Sequence, residues 1–345
     1  METCGTAPLA HLALELVCAW PSNYDPPNNE NIQYDEKRGR AGLIKTLNLL
    51  DQEVAFVASD GDYYLESMPS NGPVDIQQLF EALCKEDSNV IDVGANIGVT
   101  AVIAGLLASE GSVLALEPVK ATFEYLVRNI ERSKLTNIRC LNAAASSAEG
   151  HVQVVTRPGH SFASFVGYDE VLERYAGYDE ERVEAVTLDR LVERSGMSRV
   201  DFIKIDVEGF ELEVLRGCPQ LLERFQPTVL LEANHYCLNI FRRISMVDFT
   251  EEILSYFPIV YAVDASSEIL DLTSKTNHPV FFHDNVVRGR YQNLLCAFDP
   301  TTVSALERLR SNAQDAAERR QTGQSDLVDT WRSQIAHRLR RKRVT

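Results

Sequence analysis

The feature that most constrains this chain is the run VIDVGANIG at residues 90–98, followed about 20 residues later by an acid that ends a second apolar run, VLALEP at residues 113–118. An apolar run that stops at an acid and a glycine turn, then continues with helical spacing, is how an open α/β sheet builds its nucleotide crevice. Glu117 closes the second run, where a carboxylate can accept hydrogen bonds from both hydroxyls of a ribose. The pair predicts a cofactor that contains adenosine.

The glycines narrow the choice of cofactor. A dinucleotide fingerprint needs G-x-G-x-x-G, because its second glycine lets the backbone approach a pyrophosphate. Here Gly94 and Gly98 frame Ala95, Asn96 and Ile97, so that pattern is missing. Asp92, inside the turn region, would repel a pyrophosphate but could pair with a cationic ligand. S-adenosylmethionine has no phosphate and carries an ammonium and a sulfonium, so it fits better than a nicotinamide dinucleotide.

The second informative segment is DFIKIDVEGFE, residues 201–211. In an extended strand, Lys204, Asp206 and Glu208 project to one face and Ile203, Ile205 and Val207 to the other. A lysine between apolar residues must find an anion, and Asp206 is the adjacent candidate, so Lys204 also reads as half of a buried structural ion pair. Asp206 leaves the sheet where ligands of such folds bind, and is expected to act as a general base. Other strand ends supply Asn142, then Glu232, Asn234 and His235. Asp206 and Glu232, with His235 as a further donor, form an alternative site for Mg²⁺, ranked below simple base catalysis. A satisfied loop histidine is the plainer account of His235. The segment RPGHSFASF, residues 157–165, reads either as a hairpin turn or as a polyol-binding surface carrying His160 and Ser161.

Around these motifs strands and helices alternate: NVIDV, SVLALE, IRCLNAAA, DFIKID and TVLLEA are expected strands of a mainly parallel sheet with helices on both faces. HVQVVT reads as an inserted hairpin or edge, and IVYAV with NLLCAF as an antiparallel edge pair. Three zones follow: residues 1–87 as an N-terminal cap with a short helix and a hairpin turning at Asp60, Gly61 and Asp62; residues 88–300 as the catalytic domain; and residues 301–345 as a polar helix and basic tail.

A net charge of −16 argues against a nucleic-acid backbone as the main partner. No apolar stretch reaches the roughly 20 residues that span a bilayer, and HLALELVCAW is interrupted by Glu15, so a cytoplasmic location is expected. The seven cysteines lack C-x-x-C spacing and read as buried free thiols.

VIDVGANIG, the ALEP acid, NAAAS (142–146), VTLDRL (186–191) and FIKIDVEGFELEVLRG together resemble the FkbM family of S-adenosylmethionine-dependent methyltransferases. The resemblance implies a class I methyltransferase (Rossmann-like) α/β fold, a seven-stranded sheet with one antiparallel strand, and O-methylation of a sugar, glycan or secondary-metabolite hydroxyl. On matching positions it implies that Asp92, Gly94, Ala95, Asn96 and Gly98 hold the methionine portion of the cofactor, that Glu117 and Pro118 hold its ribose, and that Asn142 and Ala143 flank its adenine. By the same match Asp206 and Glu208 would face the reaction centre; the reading of the residues themselves adds Lys204 there and sets His160, Ser161, Glu232 and His235 toward a small-molecule or glycan acceptor. The rival readings are a non-catalytic binding scaffold and a nicotinamide-dependent dehydrogenase.

Overall fold

The computed structural model describes residues 42–156, 161, 165–166, 179–265, 268–304 and 307, with the backbone of residues 32–34. His160, the expected N-terminal helix, and nearly all of the C-terminal helix and basic tail lie outside the described residues.

The chain begins with β1 (Ile32–Tyr34), β2 (Gly42–Leu49) and β3 (Gln52–Ser59), a three-stranded antiparallel sheet. The β2–β3 hairpin turns at Leu50 and Asp51, both with positive φ (51° and 61°), which is the turn geometry that follows strand twist. The Asp60–Asp62 turn expected for this hairpin has a different role. Asp62 accepts a hydrogen bond from the Leu65 N–H (3.0 Å) and caps the short helix Tyr63–Ser67.

The principal sheet follows, made of β4 (Asn89–Val93), β5 (Ser112–Leu116) and β6 (Ile138–Leu141), joined later by β11 to β15. Between them lie β7 (Ala144–Ala145), β8 (Gly150–Thr156), β9 (Phe165–Val166) and β10 (Asp179–Val186), which form a separate four-stranded sheet ordered β7-β10-β8-β9. HVQVVT is thus one side of an inserted antiparallel pair, with β8 against β10. The remaining strands are β11 (Phe202–Ile205), β12 (Thr228–Glu232), β13 (Ile259–Val263), β14 (Ile269–Asp271) and β15 (Asn293–Ala297).

The eight strands are ordered β14-β13-β15-β12-β11-β4-β5-β6. Strands β6, β5, β4, β11 and β12 run parallel, and β15 inserts antiparallel between β12 and β13. The last two apolar runs pair as expected, but as interior strands; the edge is the short β14, an eighth strand that apolar patterning did not reveal. Three polar or half-buried residues are too few to carry a period.

Two apolar layers cover the sheet. Ile91, Val93, Ile203 and Ile205 point into one, together with Leu212, Phe249 and Phe281. Val90 and Phe202 point into the other, where the hairpin residues Leu47 and Phe56 and the helix residue Phe80 pack on them. Phe80 meets Phe202 edge to face at 5.0 Å. The hairpin is also tied to the glycine turn by the buried Asn129, whose side chain accepts from the Val57 N–H (2.7 Å) and donates to the carbonyls of Val57 (3.0 Å) and Ile97 (2.8 Å). Residues of the N-terminal region therefore share a core with the sheet and stand over its carboxyl rim.

Candidate active site

At the rim, β4 gives way to a turn that only glycine can open. Gly94 has φ of +80°, and a Cβ there would lie 1.8 Å from the carbonyl oxygen of Asp206. That close approach lets the N–H groups of Gly94 and Ala95 both reach the Leu116 carbonyl (3.0 and 2.8 Å). The same turn carries Asn96 in the left-handed region and Gly98 at the start of helix Val99–Leu107.

Glu117, at the end of β5, is nearly buried. Its Oε2 accepts from the Asn96 N–H (3.1 Å) and its Oε1 from the Val119 N–H (2.9 Å). Each oxygen keeps a second lone pair, which is the provision a ribose diol needs. Burial outweighs these two N–H bonds and pushes the carboxyl up to about 7. Asn142 is placed differently from the expectation. Its amide donates to the carbonyls of Glu117 (2.9 Å) and Pro118 (2.7 Å), so it shapes the strand end from behind, while Ala143, Ala144 and Ala145 form the cavity wall.

Asp92 also departs from the expectation that it pairs with a cationic ligand. It is 0% exposed: Thr100 donates to its Oδ2 at 2.7 Å, and its Oδ1 lies 3.8 Å from Lys204 Nζ. The cation is internal, because the parallel register sets Lys204 on β11 beside Asp92 on β4. Lys204 reaches forward as well, to Asp206 Oδ2 at 3.1 Å. Burial alone would lower its ammonium, but Asp206, Asp92 and Tyr64 more than offset this and hold it raised. Lys204 is therefore charged and shared between two aspartates, of which Asp206 presents a 43% exposed side chain to the cavity.

Strand β11 ends at Ile205, so Glu208 is not brought to the site by strand alternation. It sits in the left-handed region (φ 53°) in a turn braced twice: Glu211 Oε1 accepts from the N–H groups of Val207 (3.2 Å) and Gly209 (3.1 Å), and the Cys237 thiol donates to Glu208 Oε2 at 3.0 Å. Burial, with Asp206 nearby, pushes the Glu208 carboxyl up to about 7, and burial pushes Glu211 up to about 8. Glu232 is raised well above the usual range by burial and by the negative neighbours Asp206, Glu208 and Glu211; its Oε2 is buried without a hydrogen-bond partner.

These groups line one cavity of about 710 Å³. Gly94, Ala95, Asn96, Glu117, Pro118 and Ala143 border one part of it, and Lys204, Asp206, Glu208 and Glu232 another, with Ser161 also on its wall. Asp92, Gly98, Asn142 and His235 are not among its described lining residues. The Mg²⁺ alternative finds no support: among the described residues no three His, Cys, Asp or Glu side chains form a group able to hold a metal ion.

Sequence reasoning missed the part of the wall made by Tyr63, Tyr64 and residues 67–69 and 71–76, and it missed Gln292 and Asn293. The latter pair had a readable signal. Once NLLCAF is taken as antiparallel, its first residue must fall at the same rim where the parallel strands end, and the register pairs Asn293 with Glu232. The first wall had no such signal, because its tyrosines lie on a helix of five residues.

An open sheet of this order, with one antiparallel strand beside the last parallel one, a glycine turn after the first strand and an acid after the second, defines the class I methyltransferase fold. The sequence of that same region is similar to a known family: residues 92–259, just under half of the chain, match the family model of the methyltransferase FkbM domain. Curated relatives include the hexuronic acid methyltransferase AglP of Haloferax volcanii, 30% identical over 152 residues covering 44% of this chain and 59% of that protein. Another is the methyltransferase sdnD of Sordaria araneosa, 27% identical over 172 residues covering 41% and 66%. The chain thus spans about three fifths to two thirds of the length of these relatives. Among solved structures, an O-methyltransferase from Bacillus cereus in complex with SAH aligns over 66% of this chain and 80% of that one, with 14% identity and a TM-score of 0.34.

Proposed function

We propose that this protein is an S-adenosylmethionine-dependent O-methyltransferase acting on a hydroxyl of a sugar, glycan or secondary metabolite. The observation that carries the reading is the pairing, in one cavity, of the Glu117 carboxylate with a partly exposed Asp206 held by a buried lysine. The residues present suit the cofactor. Glu117 offers two oxygens with spare lone pairs to the ribose, the alanines at 143–145 leave room for a flat base, and Gly94 and Ala95 border the same cavity.

When bound, S-adenosylmethionine supplies a methyl group already activated by its sulfonium. The protein's share is alignment and proton removal. Asp206 would accept the proton of the acceptor hydroxyl as the methyl group is transferred to its oxygen. Lys204 and the Val93 carbonyl, which accepts from the Asp206 N–H at 3.0 Å, hold that carboxylate in place. Glu208, partly protonated near neutral pH, orients the acceptor beside it. The two relatives named above, one a hexuronic acid methyltransferase and the other a methyltransferase, agree with methyl transfer. The test is a comparison of metabolite extracts from cells with and without the protein. A species heavier by one CH₂ unit in its presence is the expected result; unchanged extracts, with no methyl label transferred from S-adenosylmethionine to any fraction, would contradict the proposal.

A further inference from the structure

The acceptor end of the cavity carries a charge pattern that bears on the substrate itself. Among the described residues that line the cavity, Lys204 is the one cation, and both of its short contacts are to the chain's own aspartates, Asp92 and Asp206. It has no positive charge left to offer a second anion. Asp206, Glu208 and Glu232 converge around it, close enough that each of the two glutamates feels the charge of Asp206. The same cavity is lined by Tyr64 and by the neutral amides of Gln292 and Asn293, the last paired in register with Glu232. Amides recognise the hydroxyls of a neutral ring, whereas a carboxylate brought within about 5 Å of Asp206 meets like-charge repulsion.

We infer that the acceptor end selects on charge, admitting an uncharged polyhydroxylated ring and rejecting the same ring when it bears a carboxylate. This rests on the methyl-transfer reading and goes beyond it. It also separates this chain from the relative named for hexuronic acid.

The experiment uses the full chain with methyl-labelled S-adenosylmethionine, offered in parallel a panel of methyl hexopyranosides and the corresponding methyl hexuronopyranosides at pH 8. SAH binding is measured by calorimetry on the same preparation. Label incorporation at least about tenfold greater into the neutral series is expected, the repulsion between like charges at such a distance being ample for that ratio. Equal or greater transfer to the hexuronides overturns the inference, and so does SAH binding with transfer to neither series. Failure of SAH to bind breaks the underlying methyl-transfer reading instead, so the two failures are told apart.

Discussion

The two ends of the cavity differ in how their acidic groups are held. At the Glu117 end, the two carboxylate oxygens hold two backbone N–H groups, Asn142 holds two carbonyls, and Asp92 lies between Thr100 and Lys204, while Asp92 Oδ1 and Asn96 Oδ1 are buried without a hydrogen-bond partner. Around Asp206 the carboxylates crowd one another, and Glu232 and Glu211 each keep a buried oxygen without a partner. The first end holds its carboxylate through backbone N–H groups. The second is held in a state of raised carboxyl groups, the kind of environment that proton transfer uses.

The sharpest way to separate the two ends is to remove one function from each. Asp206→Asn keeps the shape but not the base, so turnover should fall by roughly 10²–10⁴-fold, the usual worth of a positioned base, while SAH affinity measured by calorimetry stays within a few-fold. Comparable loss of both would place Asp206 in the cofactor frame. Next in size is Gly94→Ala, because no side chain can occupy the space beside the Asp206 carbonyl. We expect a loss of more than about 3 kcal/mol in chemical denaturation, with strands β4 and β11 forced apart. A near-neutral result would show that the turn is softer than its geometry implies.

Glu117→Ala should weaken SAH binding by roughly 10–100-fold, the worth of hydrogen bonds to a charged acceptor, with proportionally less effect on turnover at saturating cofactor. The smallest effect is the pH dependence of stability. Burial raises Glu117 from 4.5 to about 7 and Glu211 from 4.5 to about 8. Below the unfolded value both states hold these protons and no slope arises. As pH climbs from about 4.5 to about 8, the unfolded chain has released protons that the folded chain keeps, so stability falls, and it levels off above that window. The unliganded protein should therefore melt on the order of 5 °C lower at pH 8 than at pH 5. Glu211→Gln, which retains an oxygen for the N–H groups of Val207 and Gly209, should flatten that slope.

The same contrast explains what could be read in advance. The Glu117 end is local in sequence: GANIG, the acid at Glu117 and the small residues at 143–145 each follow a strand that apolar periodicity reveals, and they meet because adjacent parallel strands end together. Asp92 was legible as special, but its partner was not, since the contact with Lys204 depends on β4 and β11 being neighbours 112 positions apart in register. Glu208 reaches the cavity through a left-handed turn that strand alternation does not foresee. Tyr64, Gln292 and Asn293 come from elements far along the chain, brought to the rim by a hairpin that shares the sheet's core and by an antiparallel strand. Such long-range placement leaves no period or motif behind.

The central claim is that this rim recognises a sulfonium cofactor through Glu117 rather than a pyrophosphate through glycines. Calorimetric titration of the full chain with SAH and, separately, with NAD tests it most directly. The account predicts saturable SAH binding that weakens in Glu117→Ala and no binding of NAD; saturable binding of NAD with none of SAH would contradict it.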